Sequence, residues 1–481
     1  MSTAINETLI RDVVSEVLGR LQTSATSPIT PTAAPAAATG GRDGIFQTIN
    51  DAVAAAKAAQ QRLVDAGLEK RAQVIQCIRD ICLNQKEELG KFEYEETKIG
   101  RLDHKIAKLV NIGTRVPGME MLRTDAVSGD HGLGVTEYAP FGVIGVITPV
   151  THSAPTLACN AIMMISAGNT LVVNPHPSGI KSAILITQMI AKKARELTGL
   201  DNLICVIEKP TIETANEIFT HPDIRMLCIT GGPGVVKAAM ASNKKAVVAG
   251  PGNPPVVVDE TADIEKAAAG IVIGAAWDNN LLCIGEKEVF VVESVADQLL
   301  EAMGRHGGYR LNKEQMDAVA KATIHYDEKT GHYMADKKYV GKDPQVIAEV
   351  IGLNLPRGVE LLYGEVDESN PLLPSEQMMP VLPVVRCANV DQAIDLAVKY
   401  EHGFGHTAMI WSKNVNNMTK MGKAVDTTIF IKNGACMAGL GSGGEGFSSF
   451  SIATPTGEGV TSPLTFTRVR RCVMVDNLRI I

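Results

Sequence analysis

GVIGVITPVTHSAPTLACNAIMMISAGNTLVVNP, residues 142–175, decides the fold. GVIGVITP (142–149) is a short apolar run ending in a turn, Ala154 to Ser166 is an apolar stretch of helical length, and TLVVNP (170–175) is a second strand-like run. A strand, a crossover helix and a returning strand make a parallel pair. The alternation continues: Ser178 to Leu197 predicts a helix, LICVI (203–207) a strand, Glu213 to Phe219 a short helix and RMLCIT (225–230) a strand. Gly231-Gly232-Pro233-Gly234 leads into another helix, and KAVVA (245–249) is a strand. Strands alternating with helices in this way predict a Rossmann-type parallel sheet. Ligands on such sheets bind at the carboxyl ends of the strands. That rule places Thr148-Pro149, Asn174 to Pro177, Lys209 to Thr211, Thr230 to Gly234 and Gly250 to Asn253 along one rim.

On the amino side, Ile45 to Ala66 and Lys70 to Leu89 predict helices that cover the sheet, followed by a more polar helical segment. On the carboxyl side a second α/β unit begins near Pro254: PPVVVD is a strand and Ile264 to Ala276 a helix. WDNNLLCIGEKE (277–288) then forms a loop before the β-branched run Val289 to Val292. A thiol on such a loop, Cys283, can face a cleft and act as a nucleophile; buried in an element it would be structural. Helical and irregular segments fill 295–350, and PLLPSEQMMPVLPVV (371–385) is a loop running into a strand. Ala393 to Tyr400 predicts a helix, HTAMIWS (406–412) a strand and 439–459 a long Gly/Ser/Thr loop. The tail LTFTRVRRCVMVDNL (464–478) alternates like a strand and is a candidate for edge pairing with another subunit.

The 481 residues suffice for two or three domains with sizeable cores. A formal net charge of −7 gives no basic field for nucleic acid, and no apolar run is long enough to span a bilayer. The nine cysteines are scattered without a CxxC pair, which predicts reduced thiols and no zinc or other metal site. Residues 1–21 carry Ile5, Leu9, Val13, Val17 and Leu21 at helical spacing, with charges on the other face. The Thr/Ser/Pro/Ala stretch over 22–41 reads as a disordered linker. An amphipathic helix on a tether needs a partner for its apolar stripe.

The motifs ITP (147–149), AGNT (167–170), ITGG (229–232), Cys283 and Glu376 before MMPVLP resemble the aldehyde dehydrogenase superfamily across nearly all of 42–481. NPHPSG (174–179), TGGPGVVKAA (230–239), AGPGNPPVVVD (249–259), HGFGHTA (402–408) and GGEGFSSFSIATPTGEG (443–459) resemble, more narrowly, the coenzyme A-acylating acetaldehyde and propionaldehyde dehydrogenases of bacterial microcompartments. The resemblance implies an α/β fold with an NAD/CoA-binding domain over 42–253, including an oligomerisation strand near 125–139, and a catalytic cysteine domain over 254–445. The chain would return to the cofactor domain and a second oligomerisation strand over 446–481, in a homodimer or homotetramer. Residues 1–21 resemble the encapsulation helix that docks such enzymes on a shell protein, which implies a place in the microcompartment lumen.

In that superfamily the cysteine attacks an aldehyde, hydride leaves to NAD and an acyl-cysteine thioester remains. Hydrolytic members then activate water with a glutamate, whose position falls on Ala249 here; the spacing 283 − 249 = 34 fits the hydrolytic pattern. Alanine has no group to act as a general base, so the resemblance implies that coenzyme A takes the acyl group in a ping-pong cycle. The superfamily's oxyanion-holding asparagine corresponds to Thr151, with His152 next, a departure even from the subfamily. His406 is a candidate base for the coenzyme A thiol. The implied dinucleotide site takes in Thr148, Pro149, Asn174, His176, Pro177, Lys209, Pro210, Thr211, Thr230, Gly231, Gly232, Val235, Gly250 and Glu376. Asn174 replaces the superfamily's usual ribose lysine, and Pro177 the acidic residue that disfavours a 2′-phosphate. The rival readings are an acyl-phosphate reductase of related fold and a non-catalytic assembly protein of the microcompartment.

Overall fold

The computed structural model describes residues 41, 43–328 and 331–481. The helix expected over 1–21 and, apart from Gly41, the linker after it lie outside the described residues. The opening alternation forms one parallel sheet, ordered Ile204–Ile207, Thr170–Pro175, Val143–Thr148, Ile224–Thr230, Lys245–Ala249. In chain order this is 3-2-1-4-5, the Rossmann arrangement. The switch point therefore lies between Val143–Thr148 and Ile224–Thr230, which pair in parallel. The helix Ser153–Ser166 is buried at every residue, which explains its unbroken apolar sequence.

Two expectations on the amino side need correction. Ile45–Phe46 is not helical; it adds a sixth parallel strand beside Ile204–Ile207. The helix starts at Ile49 because the Thr48 hydroxyl accepts from the Asp51 amide and caps it. The run 70–89 is two helices, Gly67–Asn84 and Lys86–Thr97, broken at Gln85. The break presses Gly90 onto the helix Leu102–Arg115, so closely that a Cβ there would lie 2.8 Å from Ile106 Cγ1. The polar character of Lys86–Thr97 has a use: Glu96 accepts from the Lys181 and Ser182 amides, each at 2.8 Å, at the start of the helix Ile180–Thr198.

The second unit is a seven-stranded parallel sheet, ordered Gly308–Arg310, Leu361–Glu365, Val381–Cys387, Glu288–Val292, Pro255–Val258, Thr407–Trp411, Ile429–Lys432. The segment 295–350, read as helical and irregular, also contains an exposed hairpin, Ile324–Asp327 with His332–Ala335. The tail forms the expected strand, Thr467–Val475, but pairs antiparallel with Gly132–Pro140 of the same chain. Asp125–Gly129 completes that three-stranded sheet. Val469, Val473 and Val475 on the tail strand are exposed. Among the described residues no helix is long and apolar enough to cross a membrane.

The AGNT motif ties these parts together. Gly168 takes a φ of +82°, and Asn169 behind it is fully buried. Asn169 Oδ1 accepts from the Phe141 and Gly142 amides (2.7 and 3.0 Å), and Nδ2 donates to the Met164 and Phe466 carbonyls (3.2 and 2.9 Å). One side chain thus satisfies backbone groups of the preceding helix and of two distant segments. Asn169→Ala leaves them buried and unpaired, so urea unfolding should show a loss of about 3–5 kcal/mol.

Candidate active site

The helix Ile264–Ala276 gives way to three consecutive residues in the left-handed region: Asp278, Asn279 and Asn280, with φ of 51°, 54° and 63°. Asp and Asn tolerate this conformation better than other non-glycine residues. Their side chains hold it in place. Asn279 Nδ2 donates to the Gly100 and Gly341 carbonyls and to Asp343 Oδ1, the last at 2.8 Å. Asn280 Nδ2 donates to the Ala275 and Glu286 carbonyls, both at 2.9 Å, closing the loop on itself. The buried Lys287 ammonium donates to the Asn280 carbonyl (2.9 Å), to Asn280 Oδ1 and to the Leu282 carbonyl (3.2 Å).

Leu281, Leu282 and Ile284 are buried, and Cys283 between them stays partly exposed on the wall of a cavity of about 290 Å³. Of the other eight cysteines, seven are buried and Cys472 is exposed on the tail strand. Only Cys283 therefore combines access with an enclosing cavity. Burial pushes its thiol up to about 12, and the nearby Glu376 carboxylate adds to this. Lys287 opposes the shift, as do the amides of Cys283 and Ile284, which face the sulfur.

Among the described residues, no Asp or Glu lines the cavity. Ala249 ends its strand and is buried. Glu286 is turned away: Oε1 accepts from the Cys436 amide at 2.9 Å, and burial lifts the carboxyl to about 7. Glu288 lies fully buried beside Asn253, and burial likewise raises it well above the carboxylate range. Glu376 is held by the Gly252 amide and is off the cavity wall.

The walls are mainly apolar, with Trp277, Leu282, Met437, Leu440, Phe450 and Ile452 among them. Phe450 and Ile452 come from the Gly/Ser loop, which the sequence marks only as a long loop. One face is the helix Leu102–Arg115, which sequence reasoning did not connect to the site. This helix brings two buried lysines. Lys105 Nζ lies 3.2 Å from Glu93 Oε1 and donates to the Thr151 carbonyl at 2.8 Å. Lys108 Nζ donates to Asp278 Oδ2 and lies 2.9 Å from His152 Nδ1. Glu93 also accepts from the Ala154 amide at 2.9 Å, at the start of the helix Ser153–Ser166. The signal missed was the i, i+3 pair of lysines on an otherwise core-facing helix stripe.

His152 lines the cavity with Cys283, whereas Thr151 does not. His406 is fully buried, with Nδ1 2.9 Å from Thr407 Oγ1 and Nε2 unpartnered. Burial drives its imidazole down to about 4, so at neutral pH it is uncharged and a weak base. Gly252 separates it from the nucleophile loop: a Cβ there would lie 2.5 Å from the Cys283 carbonyl oxygen and 3.0 Å from His406 Cγ.

Thr148, Pro149, Asn174, His176, Pro177, Lys209, Pro210, Thr211, Thr230, Gly231, Gly232 and Gly250 all sit at or just beyond the carboxyl ends of the first sheet, with Val235 on the helix Pro233–Met240. Asn174 is already engaged: Oδ1 accepts from Thr214 Oγ1 at 2.6 Å, and Nδ2 donates to the Thr211 carbonyl at 3.3 Å. His176, Pro177, Lys209 and Thr211 are exposed. A dinucleotide fits this rim at the switch point. Thr148 Oγ1 is buried there without a partner, and a Cβ on Gly232 would meet nothing within 4 Å. The helix Pro233–Met240 has no side-chain cap, so its first amides remain for a pyrophosphate.

The chain matches the aldehyde dehydrogenase family over residues 30–460. It is 43% identical over 478 residues to the acetaldehyde dehydrogenase (acetylating) EutE of Salmonella typhimurium, covering 99% of this chain and 100% of that one. A structure of Rhodopseudomonas palustris propionaldehyde dehydrogenase with bound CoA and an acylated cysteine superposes with a TM-score of 0.87 at 44% identity, over 91% of this chain and 99% of that one. Propionaldehyde dehydrogenase from the Clostridium phytofermentans fucose utilisation bacterial microcompartment gives a TM-score of 0.88 at 42% identity, over 91% and 100%. With its Rossmann-ordered sheet, its cavity-facing cysteine and a match that spans most of its length, this chain belongs to the aldehyde dehydrogenase family.

Proposed function

We propose that this protein oxidises a short-chain aldehyde, with propionaldehyde ahead of acetaldehyde, to its acyl-coenzyme A thioester, using NAD. The observation that carries the reading is the cavity around Cys283, which among the described residues holds a thiol and no carboxylate. The Cys283 thiolate forms a bond to the aldehyde carbon and keeps the acyl group as a thioester. NAD bound on the first sheet supplies the acceptor for the hydride. Thr148, Pro149 and Glu376 would hold its nicotinamide end, Thr230, Gly231 and Gly232 its pyrophosphate, and Asn174 and Pro177 would border the adenosine ribose.

With a methyl at Ala249 and no carboxylate among the described residues of the cavity wall, the site has no counterpart of a glutamate that would draw a proton from water to hydrolyse the thioester. The coenzyme A thiolate instead forms a bond to the acyl carbon as the bond to Cys283 Sγ breaks, which regenerates the enzyme thiolate. One thioester replaces another, so the exchange is nearly isoenergetic. The apolar cavity of about 290 Å³ suits an aliphatic aldehyde of a few carbons.

Residues 1–21 dock the enzyme on a shell protein from inside the microcompartment, a reading supported by their amphipathic pattern and by the microcompartment origin of one relative. The exposed apolar residues of Thr467–Val475 support contact with a second copy in a dimer or tetramer. Deleting 1–21 should leave turnover intact and abolish co-sedimentation with shell protein. Retained co-sedimentation refutes the docking role.

Purified protein should reduce NAD with propionaldehyde only when coenzyme A is added. Sustained coenzyme A-free turnover to propionate refutes the proposal, and phosphate-dependent turnover favours the acyl-phosphate chemistry of related folds. Cys283→Ala should abolish turnover while dinucleotide binding, followed by fluorescence, survives. The raised thiol makes alkylation of Cys283 by iodoacetamide speed up as pH rises well beyond 8. Glu376→Gln removes a charge that raises the thiol and should move that profile to lower pH; Lys287→Met should move it higher.

A further inference from the structure

Lys108 is buried between two acceptors, and the chemistry of its ammonium settles the state of one of them. Burial lowers Lys108 to about 8, so at neutral pH it is still an ammonium, which donates and cannot accept. It lies 2.9 Å from His152 Nδ1, so that nitrogen is the acceptor and the ring proton resides on Nε2. Lys108 is itself fixed from the other side by Asp278 Oδ2, on the turn that precedes the nucleophile. His152 packs edge-on against Phe450, 5.7 Å between centroids, and lines the cavity beside Cys283. With Nδ1 taken by Lys108, Nε2 is the nitrogen left to meet a guest in that cavity.

We propose that Lys108, anchored on Asp278, is a positioning residue that locks His152 as the Nε2–H tautomer, so that the ring presents a neutral N–H donor to the carbonyl oxygen of an aldehyde attacked by Cys283. The proposal rests on the aldehyde-oxidising reading of the site. In the addition step the thiolate electron pair forms the S–C bond and the C=O π pair passes to oxygen. His152 keeps its proton and shares it with that oxygen, alongside the Cys283 amide. Charge balance supports a neutral ring. The groups around it are Lys105 and Lys108 from one helix, Glu93 from a second and Asp278 from the cysteine loop, so two lysines already face two carboxylates. Burial, with the charges of Lys108 and Lys105, pushes the imidazole well below its ordinary range. Thr151 makes no such offer, because it does not line the cavity.

His152→Leu should lower kcat for aldehyde oxidation by about 10²–10³-fold, while His152→Asn, which keeps a neutral N–H donor, recovers most of the loss. Iodoacetamide alkylation of Cys283 builds no oxyanion, so its rate should stay unchanged in both variants. With ¹⁵N-labelled histidine, His152 of the native enzyme should show an unprotonated Nδ1 and a protonated Nε2 from pH 5 to 7, where Lys108 keeps its proton. In Lys108→Met it should titrate within that range. A His152→Leu enzyme with native kcat, or a native His152 that titrates near 6.5, overturns the proposal. A loss of turnover matched by a loss of alkylation also overturns it, because that marks a role in building the loop. If the native enzyme alkylates at Cys283 but oxidises no aldehyde, the underlying functional reading is what fails.

Discussion

Everything at the site hangs on one backbone constraint, the left-handed turn of Asp278, Asn279 and Asn280. Each L-residue in that region costs roughly 1–2 kcal/mol, and three in succession persist only when the surroundings fix them. Here the same side chains that pay this cost also join the parts. Asn279 reaches Gly100 and Gly341, Asn280 closes the cysteine loop, and Asp278 binds Lys108 and the Arg101 amide. Gly100 is required for this approach: its φ is +78°, and a Cβ there would fall 2.2 Å from Asp278 Oδ1. Loop, cavity wall and buried ion cluster are therefore one mechanical unit.

The two sheets contribute opposite ends to the chemistry. The first offers the carboxyl ends of its strands at the Rossmann switch point. The second offers amino ends: Cys283 precedes Glu288–Val292, Gly252 precedes Pro255–Val258, Glu376 precedes Val381–Cys387 and His406 precedes Thr407–Trp411. The connection 250–254, which runs from the last strand of one sheet into the first of the other, sets both rims side by side. Gly252 lies where a side chain would collide with the Cys283 carbonyl, so the nucleophile loop depends on a residue with none.

The electrostatics of the site follow from dryness. Burial raises Cys283, Glu286 and Glu376 and lowers Lys287, His152 and His406, in every case against the charged form. A thiol in such a place needs donors and cations to become a thiolate, and the loop supplies two amides and Lys287. The acyl group it carries sits where no carboxylate can deliver water.

The sequence by itself determined the two α/β units, five of the six strands of the Rossmann sheet, the glycine turn at 231–234, and Cys283 on a loop. These are local matters: buried parallel strands and helices write their identity in short apolar runs, and a helix-to-strand loop is marked by its flanks. Family resemblance then singled out Ala249 and the coenzyme A chemistry that its methyl implies. Tertiary structure alone decided the rest. The helix Leu102–Arg115 reads as a covering helix, yet Lys105 and Lys108 meet Glu93 and Asp278 across up to 170 positions of sequence. Only the folded chain places His152 rather than Thr151 on the cavity wall and buries His406 completely, which lowers its imidazole. The tail strand forms one edge of a three-stranded sheet, beside Gly132–Pro140. Pairings of buried charges carry no local period, because their energy depends on desolvation and on partners that only the folded chain brings together.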